Sequence, residues 1–330
     1  MSTLTPAPLF SIELLADRKR NPSAVMLGIE NGKPDGLLGL LQHPDFLSLS
    51  TRFPSVVIAN GLPQPIAAAL QAAHCELIDA VAVYRTEQLA EQEMPPQSKW
   101  IAGDWYLAPP AKATGSQAAS RTLALQLVQL VSADADTHEI EAVLRRDPAL
   151  SYHLLRLVNS LGMGMSRQIT SFSQAILILG RAQLRRWLNL MLFSSRAGDE
   201  RSAMLLARVA SRARTMELLA KATGLDKSGQ DSAFMAGMFS LLGVLFGMPL
   251  AEVLRPLKIS DALSAALLEH EGDVGRLLAL VETGERRDLP ALATALDALP
   301  LAYEEFNLIT LQAYGWMLDV VRESTGGAHA

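Results

Sequence analysis

Two textures meet in this chain between Ala108 and Ser120, and the change between them limits the folds open to it. Before that point, short β-prone runs alternate with short helical ones. Pro8–Leu15, Ala24–Ile29, Ser55–Ala59 and Leu77–Tyr84 have the composition of strands. Gly36–Gln42 and Gln64–Ala73 read as helices between them, punctuated by Pro44, Pro54 and Pro63. Such alternation predicts an α/β layer. Beyond Ser120 the apolar periodicity is helical to the end. The predicted division is an α/β unit over 1–110, a Pro/Ala/Gly/Ser-rich linker over 111–120, an all-helical unit over 121–322 and a frayed tail over 323–330.

Within the helical half, Leu123, Leu127, Val128 and Val131 share one face. Asp136 with Glu139, Asp147 with Pro148, and Ser171 with Gln174 have the spacing of helix starts. Further helices are predicted at about 181–196, 199–223, 230–247, 260–271, 273–284 and 303–323. Ser232–Ala251 carries no charge and nears the ~20 apolar residues of a membrane helix. Its Gly237, Gly243, Gly247, Ser240 and Pro249 favour the centre of a large helical domain, so no membrane span is expected. With 49% hydrophobic and 19% charged residues, the chain has material for large cores. A net charge of −5, and no defensible helix-turn-helix, argue against a nucleic-acid partner. One cysteine, Cys75, excludes an intramolecular disulfide, and the N-terminal residues lack the pattern of a signal peptide; a cytoplasmic protein is expected.

Four segments of the helical half resemble the HDOD family, the HD-related output domains of bacterial signalling proteins. They are DPALSYHLLRLVNS (Asp147–Ser160), ITSFSQAILILG (Ile169–Gly180), AGMFSLLG (Ala236–Gly243) and ALLEHEGDVGRLLALVE (Ala266–Glu282). The resemblance implies an all-helical fold in which Asp147, Pro148, Asn159, Ser160, Gly180, Gly237 and Gly243 are structural motif residues. More loosely, Glu13-Leu14-Leu15 and the Gly103, Tyr106, Pro109 series resemble a degenerate, shortened EAL-type domain. Barrels of that (β/α)₈ kind need ~250 residues, so a small partial α/β layer that is not a closed barrel is expected. The fold class predicted is therefore α+β, in two domains.

HD hydrolases hold divalent metals with His and Asp ligands. The resemblance places the lost His-Asp pair at Ser240 and Leu241, and no histidine lies between His153 and His270. On the EAL side Glu13 stands without the family's paired carboxylates; Glu76 and Asp79 are not adjacent. No catalytic residue, metal or cofactor is therefore expected. Arg181, Arg185, Arg186 and Arg156 form a candidate face for a partner or a phosphate, weighed against an ordinary solvated helix face. The function this implies is a non-catalytic bacterial signal-transduction adaptor acting through protein–protein interaction, not an enzyme. The alternative is a catalytically dead receptor for a cyclic dinucleotide such as cyclic di-GMP. Whether two chains form a homodimer stays open.

Overall fold

The computed structural model describes residues 8–29, 34–88, 94–109, 116–133, 135–144 and 199–325, together with positions 180, 183, 186, 188–190 and 192–193. Its first elements, β1 (Phe10–Ala16) and β2 (Pro22–Ile29), form an antiparallel hairpin with a register shift at Leu15/Ala16. From β2 the chain passes through α1 (Pro34–Leu41) and α2 (Pro44–Arg52) into β3 (Ser55–Ile58), parallel to β2. It then passes through α3 (Gln64–Ala72) into β4 (Cys75–Ile78), parallel to β3. Helical crossovers are how parallel neighbours are joined. Two short strands, β5 (Val83–Arg85) and β6 (Trp100–Ala102), complete the order β4-β3-β2-β1-β6-β5.

Two details depart from the sequence expectation for local reasons. Pro44 opens α2 at its first turn, where its missing N–H is no loss, and the His43 side chain accepts from the Asp45 amide at 3.2 Å. The run Leu77–Tyr84 is not one strand, because the Asp79 side chain accepts from the Val81 amide at 3.0 Å and turns the chain into a 3₁₀ segment, Ala80–Ala82.

Side chains alternate across the sheet. Ile12, Leu14, Val25 and Leu27 join Leu40, Phe46, Leu49 and Leu70 in the larger core. Leu15, Ala24, Met26, Val56, Ile78 and Trp100 make a smaller core on the opposite face.

The helical region contributes α4 (Ser116–Ser132), α5 (Thr137–Leu144), α6 (Ser202–Ala222), α7 (Lys227–Phe239), α8 (Leu242–Phe246), α9 (Leu250–Leu254), α10 (Asp261–Glu269), α11 (Gly272–Glu285), α12 (Leu289–Asp297) and α13 (Tyr303–Thr325). Its centre is α6, packed mainly against α7 and α13. The α6–α7 approach is so close that a Cβ on Gly237 would lie 2.6 Å from the Ala213 Cα. The charge-free run is interrupted at Ser240–Leu241, between α7 and α8, and Gly247 closes α8 at φ 67°. Lys227–Phe246 is long and apolar enough to cross a membrane by length and composition, with 56% of its apolar window buried inside the protein.

The expected separate, all-helical domain beside a small α/β domain is not what forms. The last helix, α13, returns to the first strand: Asn307 Nδ2 donates to the Pro8 carbonyl at 2.8 Å, and Tyr314 Oη donates to the Ile12 carbonyl at 3.0 Å. Its outer side reaches α2, where Arg52 pairs with Asp319 and Gln312 donates to Asp45 at 2.9 Å. Leu14 and Phe46 of the sheet layer belong to the same apolar core as Leu205 and Met317 of the helices. A six-stranded sheet and a helical region thus share one interior. The reason is that α6 and α13 are apolar on more than one side and need the sheet layer to cover them.

A buried ion-pair network as the candidate functional site

β1 places Glu13 in the sheet with its side chain only 3% exposed. Arg85, at the end of β5, donates to it through both terminal nitrogens, Nη1 to Oε1 at 2.7 Å and Nη2 to Oε2 at 2.6 Å. The Gly103 amide donates to Oε1 at 3.1 Å, and Arg287 Nη1 lies 3.4 Å from the same oxygen. Gly103 has φ 95°, and a Cβ there would sit 2.2 Å from the Thr86 carbonyl oxygen, so only glycine can present this amide. Burial pushes the Glu13 carboxyl up, but the Arg85 hydrogen bonds, the two guanidinium charges and the Gly103 amide outweigh it and hold it below the usual carboxylate value.

A second set lies on α6 and α11. Arg208 and Arg212 are four residues apart and both are almost fully buried. Arg208 Nε donates to Tyr106 Oη at 2.8 Å, with Asp104 at 3.5 Å and Glu285 at 3.7 Å from its other nitrogens. Arg212 makes a two-pronged pair with Glu285, Nε to Oε1 at 3.0 Å and Nη2 to Oε2. Its Nη1 donates to Ser240 Oγ at 2.8 Å and to Glu282 at 3.3 Å. Glu282 also contacts His270 Nε2 at 3.0 Å. Burial raises the Glu285 carboxyl, yet the Arg212 and Arg208 charges outweigh it and set it below the usual value. Tyr106, stripped of water, is pushed up to about 12 despite Arg208.

Between β1 and these helices lies a cavity of about 40 Å³, bordered by Ser11, Arg212, Thr215, Glu285 and Tyr314. That is room for one to a few waters.

The residues singled out from sequence fall into place unevenly. Ser240 bonds Arg212 and donates to the Gly237 carbonyl at 2.8 Å, while Leu241 is buried core. Gly180 has φ 76°. A Cβ on Gly243 would lie 2.9 Å from the Met248 carbonyl oxygen. Arg186 lies over the Phe234 ring at 4.3 Å and pairs with Glu217 at 2.8 Å and with Asp231. Arg156, Arg181, Arg185, Asp147, Pro148, Asn159 and Ser160 lie outside the described residues. Arg85, Glu282, Glu285 and Arg287 were not candidates from sequence, whereas Arg208 and Arg212 belong to the basic run that follows Arg186, which reads from sequence as a solvated face. The available signal was Arg208 and Arg212 at helical spacing inside an otherwise apolar helix, with Glu282 and Glu285 three apart on another.

A two-metal phosphodiesterase centre needs carboxylates free to bind both ions. Both Glu13 oxygens are instead engaged by guanidinium groups. Among the described residues no three His, Cys, Asp or Glu side chains gather as a metal-binding group. In this arrangement Glu13 could ligate an ion only once Arg85 and Arg287 were displaced from it.

Comparison with known proteins adds what the geometry alone does not. Over 201 residues, 61% of this chain, the sequence is 31% identical to the "Cyclic di-GMP phosphodiesterase CdgJ" of Vibrio cholerae serotype O1. Over 158 residues it is 31% identical to the "Uncharacterized protein YuxH" of Bacillus subtilis strain 168. The matches take in 46% and 38% of those two proteins, so this chain spans less than half the length of the curated relatives. A solved structure from Shewanella amazonensis SB2B, named "Putative phosphohydrolase", aligns with 62% of this chain and 93% of its own at 14% identity and a TM-score of 0.42.

The relative from Vibrio overturns the expectation of a non-catalytic adaptor, and with it the receptor that binds without cutting and the reading of the chain as no enzyme: that relative is named for a catalytic activity. The HDOD domain family profile matches residues 120–271. This chain carries an HDOD domain over those residues.

Proposed function

We propose that this protein works in cyclic di-GMP signalling as a phosphodiesterase, adding water across one phosphodiester bond and opening the ring to the linear dinucleotide. The observation that carries the reading is the 31% identity over 201 residues with a relative named for that activity. In this proposal the N-terminal sheet is a shortened EAL-type unit, with Glu13 of β1 as its surviving carboxylate and Glu13-Leu14-Leu15 as the remnant of the motif.

The surroundings of Glu13 suit a phosphodiester. Two guanidinium groups converge on the Glu13 carboxylate, the Glu87 and Asp104 charges also act on Arg85, and the Arg85 side chain is 45% exposed. A planar guanidinium can transfer its paired donors from a carboxylate to a phosphate with little change of geometry.

The test is incubation of the purified full chain with cyclic di-GMP and Mg²⁺ or Mn²⁺, with chromatographic detection of the linear dinucleotide. Product formed by the wild type and lost in Glu13→Gln is the expected result. No product from the wild type with either cation overturns the reading.

A further inference from the structure

We infer that α6 acts on the Glu13 site through the turn that follows β6, so that Arg208 and Tyr106 are positioning residues for the Glu13 carboxylate. The turn spans Gly103 to Ala108. At one end its Gly103 amide donates to Glu13 Oε1 at 3.1 Å. Its other end is gripped by α6 in two places: Arg208 Nε donates to Tyr106 Oη at 2.8 Å, and Arg201 Nη1 donates to the Ala108 carbonyl. Arg201, the N-cap of α6, and Arg208 are seven residues apart, about two helical turns, and so point the same way from one rigid element.

Slack in this linkage is small. Tyr106 is 1% exposed and meets the fully buried Trp105 edge-on at a centroid distance of 5.6 Å. Gly103 is fixed by its φ of 95° and by the Thr86 carbonyl oxygen. Asp104, between Gly103 and Tyr106, lies 3.5 Å from Arg208. A shift of α6 along or about its axis therefore carries the Gly103 amide toward or away from Glu13. Because α6 also lies within the HDOD match, an event on that domain reaches the carboxylate through three successive side-chain and backbone contacts. The consequence for turnover rests on the phosphodiesterase reading; the mechanical linkage does not.

Amide hydrogen exchange on the full chain separates the two. Tyr106→Phe keeps the ring and removes only the hydroxyl that accepts from Arg208. Its Gly103 amide is expected to exchange about tenfold faster than in the wild type, while the amides of Val25 and Val56 in the sheet are unchanged. Arg208→Lys, which keeps the charge but not the geometry, gives the same local loss. In the turnover assay Tyr106→Phe lowers kcat with KM unchanged. Unaltered Gly103 exchange in both folded variants overturns the linkage, as does an equal acceleration of all three amides, which marks a purely structural role. Faster Gly103 exchange in a protein whose wild type yields no linear dinucleotide supports the linkage and removes only the phosphodiesterase reading.

Discussion

Arg212 Nη1 donates to Ser240 across 2.8 Å and to Glu282 at 3.3 Å while its Nε and Nη2 hold Glu285, so a guanidinium occupies the space in front of the position where the HD resemblance puts a metal-binding histidine. The cation here is supplied by the chain itself. It bonds Ser240, the residue that caps α7, and two carboxylates of α11 at once.

Such a pair is costly to break from one side. Arg212→Met leaves Glu285 buried with only the more distant Arg208, 3.7 Å away, to offset its charge, and is expected to destabilise the fold by up to about 3–5 kcal/mol. The double variant Arg212→Met/Glu285→Met removes both charges and is expected to cost less than the single one. Urea unfolding of the two proteins compares them directly; a double variant less stable than the single would refute the pairing argument.

Acid should weaken the fold in a defined window. Glu13, Glu217 and Glu285 are each raised by burial but lowered further by guanidinium partners, so their folded-state values lie below the ordinary carboxylate value. The stability they confer is fully present above the unfolded value of about 4.3 and is lost as pH falls through the depressed folded values. Urea midpoints from pH 7 to pH 3 should hold level to about pH 5 and then fall. Glu13→Gln should make the decline shallower. A wild-type midpoint as high at pH 3 as at pH 7 would contradict this.

Glycines discriminate between crowded and open positions. In α11 a Cβ on Gly284 would meet Phe306 at 3.6 Å and Leu292 at 3.8 Å, ordinary contact distances. Gly284→Ala is expected to stabilise by about 0.5–1 kcal/mol through the loss of unfolded-state freedom. By contrast Gly237→Ala drives a methyl into the α6 backbone and should destabilise by about 1–3 kcal/mol. Thermal melts of the two variants should move in opposite directions.

Cys75 should be inert while the protein is folded. It is buried, and loss of solvent pushes its thiol up to about 12. At pH 8 a thiol reagent should label the native chain far more slowly than the chain in guanidinium chloride, where the cysteine becomes fully reactive. Equal labelling rates would show that β4 opens readily.

Much of the element order could be read from sequence because it rests on short-range signals. The alternation in β1 and β2, the proline-flanked α3 and the capped starts of the later helices are local patterns. What escaped was non-local or too short to carry a period. Trp100–Ala102 is three residues, fewer than any alternation can reveal, yet it sits beside β1 and leads to Gly103. Glu13 was visible as a carboxylate, but its partner Arg85 is 72 residues away. Arg208 and Arg212 were visible as part of a basic run, and a basic run is usually solvated; only the packing of α6 against α7 and α13 shows them to be buried. The separate all-helical domain was inferred from texture, and texture does not report that α13 bonds back to Pro8 and Ile12.

That return contact also sets a schedule for biosynthesis. β1 cannot acquire the Asn307 and Tyr314 hydrogen bonds until the final helix has been made, almost 300 residues later. At 5–20 residues per second the wait is roughly 15–60 s, during which β1 and the apolar face it shares with β2 lack their last covering layer. Nascent chains should therefore depend on chaperone shielding until α13 leaves the ribosome, and premature termination anywhere before Tyr303 should produce an aggregating product rather than a smaller folded one.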